Sequence, residues 1–183
     1  MIVPARLLVA ILALGISNPA AAAIEAFLMM DGVRGDAVDA RHQGEMEVLS
    51  FSHGIVHATP SPGGAGAGGA SKPVLSELTI TRRLDRATPV LHQRAAQGAH
   101  FRNAVLTLRN SGPAGTVFYQ VKLTDVRIVS VGTAGVAGDD GGPPVETLAL
   151  GFGRIEWVYT PQDRNGSTGA PVEGSWDVVR GTP

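Results

Sequence analysis

The chain has 183 residues, 44% hydrophobic and 17% charged, with 15 basic residues against 16 acidic ones and a formal charge of −1. That length suits one ordinary domain with a buried core, and the charge balance excludes a strong field drawing it onto nucleic acid or an anionic membrane. The absence of cysteine excludes a disulfide framework, a thiolate metal site and a cysteine nucleophile.

Residues 1–23 have the three-part layout of a secretory signal peptide: a positive start with Arg6, an apolar run over 7–16, then Ser17-Asn18-Pro19 and the small residues Ala20 to Ala23. The apolar run is about half the roughly twenty residues needed to span a bilayer, so no permanent membrane anchor is expected. Cleavage after Ala22 or Ala23 would leave a single domain over 24–183.

In that domain, 26–30 is a short apolar run closed by Asp31-Gly32, the pattern of a strand and a turn. Residues 33–44 are polar and glycine-bearing, a loop. A second strand is predicted over 45–53, with Met46 and Val48 on one face and Leu49 and Phe51 on the other, so that both faces carry apolar groups. The stretch 59–72, TPSPGGAGAGGASK, offers nothing to pack and is predicted to be a long loop. Residues 75–84 return to strand character, with Leu78, Ile80 and Arg82 sharing a face.

A single helix of nine or ten residues follows by the same reading. Thr88 is placed as its N-cap, Pro89 at its first position and Gly98 just past its end. Strands are expected again over 104–109, 117–131, 146–159 and 176–179, rich in β-branched residues. In 117–131 the apolar phase slips between Leu123 and Val126, which predicts a bend near Thr124-Asp125. Gly151 and Gly153 predict another. The fold class is mainly β: a small barrel or sandwich of two sheets with one flanking short helix.

Motifs of chemistry are weak. Gly64-x-Gly66-x-x-Gly69 matches a dinucleotide fingerprint by letter, but prolines precede it and a strand follows, where a strand and then a helix are required. The five histidines show no metal-binding spacing on a helix; His53 and His57 sit at a strand end. Asp139-Asp140 lies among glycines, which pre-organise a catalytic pair poorly, and no G-x-S-x-G elbow occurs. Trp157, Tyr159, Phe51 and Trp176 are expected to pack in the core. No catalytic residue, metal site or cofactor is assigned, and the chain is not read as an enzyme.

Longer blocks carry a resemblance. AIEAFLMMDGVRGDA and HQGEMEVLSFSHG, then KPVLSELTITRRLDRATPVL after the glycines, then GAHFRNAVLTLRNSG, YQVKLTDVRIVSV, PPVETLALGFGRIEWVYTPQ and GAPVEGSWDVV run in order along the chain. Together they resemble the Hcp family (haemolysin-coregulated proteins), the tube subunits of type VI secretion systems. The helix start matches at Leu84, Asp85, Ala87, Thr88, Pro89 and Leu91.

The resemblance implies a β-barrel that assembles with itself into six-membered rings, which stack into a tube driven by a sheath and tipped by a spike, with small effectors held in the lumen. It implies that the loop with Gly63, Gly64, Gly66, Gly68, Gly69 and Lys72 reaches toward the neighbouring ring, and that Ser52 faces the lumen. Two departures stand out. Family members lack the leader, which would make this subunit secreted or periplasmic rather than cytoplasmic until passage through the tube. Phe51 and His53 stand where many members carry tryptophan. An exported paralogue acting as an extracellular or periplasmic binding or structural protein is the alternative reading.

Overall fold

The structure, a computed structural model, describes residues 23–57, 72–112, 115–138, 142–163 and 167–183. Residues 1–22 of the leader and the loop glycines Gly63, Gly64, Gly66, Gly68 and Gly69 lie outside these residues. In chain order the elements are β1 (Ile24–Met30), β2 (Met46–Ser52), β3 (Ile55–Val56), β4 (Val74–Leu75), β5 (Leu78–Arg83), α1 (Thr88–Ala96), β6 (His100–Asn110), β7 (Val117–Ala134), β8 (Val145–Tyr159) and β9 (Val172–Asp177).

One antiparallel sheet runs β5-β2-β1-β6-β7-β8-β9, and β5 pairs again with β8, closing six strands into a barrel with β9 added beside β8. Closure removes the sheet edges that would otherwise template aggregation. The alternation expected in β5 holds: Leu78, Ile80 and Arg82 are buried while Thr79 and Thr81 are partly exposed. Leu28, Leu106, Leu123, Leu148, Leu150 and Ile155 fill the interior with them. β3 and β4 form a separate two-stranded arm.

Several local expectations are corrected. The strand read over 75–84 is two strands, β4 and β5, interrupted at Ser76-Glu77. The last strand is β9 at Val172–Asp177 and not 176–179. Thr88 is the first helical residue and not the N-cap. Asp85 holds the helix start instead: its Oδ1 accepts from the Ala87 N–H at 2.7 Å, and its own N–H donates to Thr88 Oγ1 at 3.2 Å. Gly98 does follow the helix with φ +61°, the left-handed position that favours glycine. α1 lies against β7 and puts Leu91 into the core.

β2 does not keep one alternation throughout. The register shifts between Val48/Arg82 and Ser50/Thr81, a bulge at Leu49. Beyond it Phe51 lies opposite Ile80, back on the face of Met46 and Val48, because directly paired residues share a face, yet it is exposed near the strand's end. The bend in β7 is at Asp125, the one non-glycine residue with positive φ (53°) among those described. Gly153 makes room for it: a Cβ there would lie 3.1 Å from an Asp125 carboxylate oxygen.

The 31–45 loop is a packed layer. Gly35 donates to the Gly44 carbonyl at 2.8 Å and Ala37 to the Glu45 carbonyl at 3.0 Å. Phe27 is sandwiched between the stacked His42 ring at 4.3 Å and the Arg109 guanidinium at 5.2 Å. Arg109 is itself paired with Glu25 and Asp39.

Candidate functional site

The outward face opposite the core is where the bulge at Leu49 matters. Past it, Ser50 pairs with Thr81, Thr81 with Thr147 and Thr147 with Gly132. The next row is Ser52, Thr79, Ala149 and Ser130, paired in the same way. Residues paired across a ladder share a face. Two rows across four strands therefore present hydroxyls, methyls and bare backbone, with no charge. Ser52, named from the sequence, is exposed and sits in the second row.

Beside this face rises the β3–β4 arm. Ile55 pairs with Leu75 and Val56 with Val74, while Ser76 donates to the Gly54 carbonyl at 2.9 Å. Ile55, Val56 and Val74 are all exposed. At the root of the arm lies a cleft of about 490 Å³ lined by Ile55, Pro73, Leu75, Trp157 and Trp176, with His57 and Lys72 among its lining. Lys72, also named from the sequence, is exposed, and its Cε would lie 3.4 Å from a Cβ built on Gly181. Trp157 and Trp176 pack partly against the core, whereas Phe51 and Tyr159 are exposed, which corrects the expectation that all four are core residues.

His53 joins the two regions. Its Nδ1 lies 3.0 Å from the Ser76 carbonyl oxygen, and its ring meets Phe152 edge-on at 5.8 Å and Trp157 at 6.0 Å. Burial pushes the imidazole below its ordinary pKa, opposed by the Ser76 hydrogen bond. The sequence flagged His53 as a departure from the family pattern and weighed it with His57 against a metal site; its cage forms from β8 residues about a hundred positions away.

A second polar cluster is structural. Arg82, fully buried, donates to Glu146 at 2.8 Å, Asp85 at 2.9 Å and Thr88 Oγ1 at 3.0 Å. His92 Nε2 lies 3.3 Å from the other Glu146 oxygen. The cluster ties β5, β8 and the start of α1 together, with only Asp85 reaching a small surface cleft beside Asp36, Glu47 and Arg83. Among the described residues no group of three or more His, Asp or Glu side chains is placed to hold a metal ion. No described helix is long and apolar enough to cross a membrane.

A family profile described as "Type VI secretion system effector, Hcp" matches residues 27–159. The chain belongs to the Hcp family. Among relatives of this Hcp chain, protein hcp1 of Pseudomonas aeruginosa is 32% identical over 158 residues, covering 85% of this chain and 96% of that protein. The fold agrees. A solved type six secretion system protein superposes with a TM-score of 0.79 at 27% identity, covering 87% of this chain and 99% of the other. Hcp1 from Salmonella typhimurium follows with a TM-score of 0.71 at 26% identity, covering 87% and 98%.

Proposed function

We propose that this Hcp protein is a structural ring subunit and not an enzyme: copies of the barrel assemble into a six-membered ring, and rings stack into a secretion tube. The observation that carries the reading is the uncharged double row Ser50–Thr81–Thr147–Gly132 and Ser52–Thr79–Ala149–Ser130. A tube wall past which a small effector must slide needs side chains that neither grip nor repel, and short hydroxyl and methyl groups meet that need. Ser52 is then a lumen residue. The exposed aliphatic side chains of the arm supply the complementary need for apolar contact between copies. The loop carrying Gly63, Gly64, Gly66, Gly68, Gly69 and Lys72 extends this contact to the next ring. Sheath, spike and cargo remain its partners by the same reading.

Light scattering and negative-stain images of the purified protein at micromolar concentration test this. A sixfold mass with annular particles is expected. Ile55→Glu together with Val74→Glu should give a folded monomer, while Ser52→Arg should keep the ring and block passage of cargo. A wild-type protein that stays monomeric at every concentration overturns the assignment.

We infer as a second reading that the leader is used: general export would then deliver the protein to the periplasm or exterior before any tube forms, as an exported Hcp-like paralogue with a binding or structural role and not as a tube subunit. In support, β1 starts at Ile24, and the Ala23 carbonyl accepts from the Ser111 N–H at 2.7 Å, so cleavage after Ala22 spares the barrel. Intact mass from native cells should show a chain starting at Ala23 or Ile24; a retained leader in the cytosolic fraction overturns this route.

A further inference from the structure

His53 occupies the short link between the end of β2 and the arm. The Ser76 carbonyl can only accept, so Nδ1 carries the proton of the neutral ring and Nε2 is left with a lone pair. That Nε2 is buried and has no hydrogen-bond partner. Protonation would make it a buried N–H with no acceptor, on a charged ring wedged between Phe152 and Trp157, a costly combination. Gly54 donates to Ser76 Oγ at 2.8 Å and Ser76 back to the Gly54 carbonyl at 2.9 Å. These bonds close the base of the arm, and the His53 ring, bonded to that base through the Ser76 carbonyl, docks it against Phe152 and Trp157 of the barrel: base and ring together form one clasp.

Among the described residues, charged and titratable groups line the clefts on either flank of the clasp. Glu77 and Arg127 line the cleft on the Phe152 side together with Ser76, and His57 and Lys72 line the cleft on the Trp157 side. Neither carboxylate nor cation enters the hydrogen bonding of the His53 ring.

We propose that His53 is an acid-released clasp: taking up a proton drives its ring out from between Phe152 and Trp157 and frees the β3–β4 arm from the barrel. The sign follows from burial. The docked ring binds a proton less readily than a free histidine of pKa about 6.5, so the released state gains protons first. The clasp holds above about pH 6.5 and weakens as the pH falls below it, with the opening equilibrium rising by up to about tenfold per pH unit. Release is a property of one subunit; only its consequence, loss of arm contacts between copies, rests on the ring reading above.

The test is an NMR pH titration of the purified chain from pH 8 to 4.5. It follows the His53 imidazole together with hydrogen-exchange protection at the Gly54 and Ser76 amides, corrected for intrinsic rate, with Leu106 in the barrel as reference. Gly54 and Ser76 should lose protection as His53 takes up its proton, while Leu106 keeps its own. His53→Phe, which retains an aromatic plate and cannot be protonated, should hold the arm amides constant. A His53 that titrates with the arm amides unmoved overturns the proposal, as does equal loss of protection in His53→Phe. Light scattering on the same samples keeps the two ideas apart: rings absent at every pH while the clasp behaves as described would count against the tube reading alone.

Discussion

The barrel and the arm use the same kinds of residue to opposite ends. Leu78, Ile80, Leu148, Leu150 and Ile155 are fully buried, whereas Ile55, Val56 and Val74 are 49%, 66% and 65% exposed. The barrel satisfies itself: six strands close, and each inward aliphatic finds neighbours from the opposite wall. The arm has only two residues per strand, of which Leu75 packs against the core, and an isolated two-stranded hairpin is marginal in water. What holds it is Leu75 and the clasp at His53, Gly54 and Ser76 within the subunit and, by the ring reading, other copies outside it. Stability should therefore reside in one region and assembly in the other.

The sharpest way to break that division is within the barrel. Glu146→Gln takes away the fully buried one of the two carboxylates paired with Arg82, leaving only Asp85, and should cost about 3–5 kcal/mol of unfolding free energy, read by urea denaturation. Arg82→Met combined with Glu146→Leu should recover most of that loss, because both fully buried charges are then gone and Asp85, at the edge of the cluster, keeps the Ala87 and Asp36 N–H groups as donors. A loss under about 1 kcal/mol for Glu146→Gln would mean that the cluster is not a buried tie.

Next in size is a matched pair. Leu150→Ala should cost about 2–5 kcal/mol through an interior cavity, and Ile55→Ala less than about 0.5 kcal/mol, since an exposed side chain loses little on truncation. Equal costs would erase the contrast between core and arm.

The smallest effect concerns the 31–45 layer. The Arg109 hydrogen bond holds the Asp39 carboxyl below its ordinary pKa, and Arg86 does the same for Asp36. A carboxylate depressed in the folded state contributes stability that is present above its unfolded value of about 3.8 and lost as the pH falls through the folded value. Arg109→Gln should raise hydrogen exchange at Gly35 and Ala37 at neutral pH while the barrel amides stay protected, and remove part of the loop's loosening below pH 4. Unchanged exchange would show that the His42–Phe27 stack holds the loop by itself.

Much of this was legible in the chain. The alternation Leu78, Ile80, Arg82 marked an inward face, although it did not reveal that Arg82 would be matched by Glu146, 64 residues later. The phase slip between Leu123 and Val126 marked the bend that Asp125 makes. The same reasoning failed at β2, because a bulge resets the phase: Leu49 and Phe51 read as one face by spacing, and the extra residue puts Phe51 with Ile80. Ser52 was singled out through the family resemblance, not through its own surroundings; its uncharged rows exist only once β5, β7 and β8 are laid beside β2. The arm was missed since two-residue strands carry no periodicity to detect.

The sequence by itself determined the β class, the single helix with its terminal Gly98, the inward phase of most strands and the family, since these are written in local spacing and in collinear blocks. Tertiary structure decided the rest. It chose β5 as the strand that closes onto β8, placed β9 beside β8, brought two outward rows into register, and wrapped His53 in rings from β8. Local pattern tells which side of a strand is apolar; only pairing tells what lies across from it.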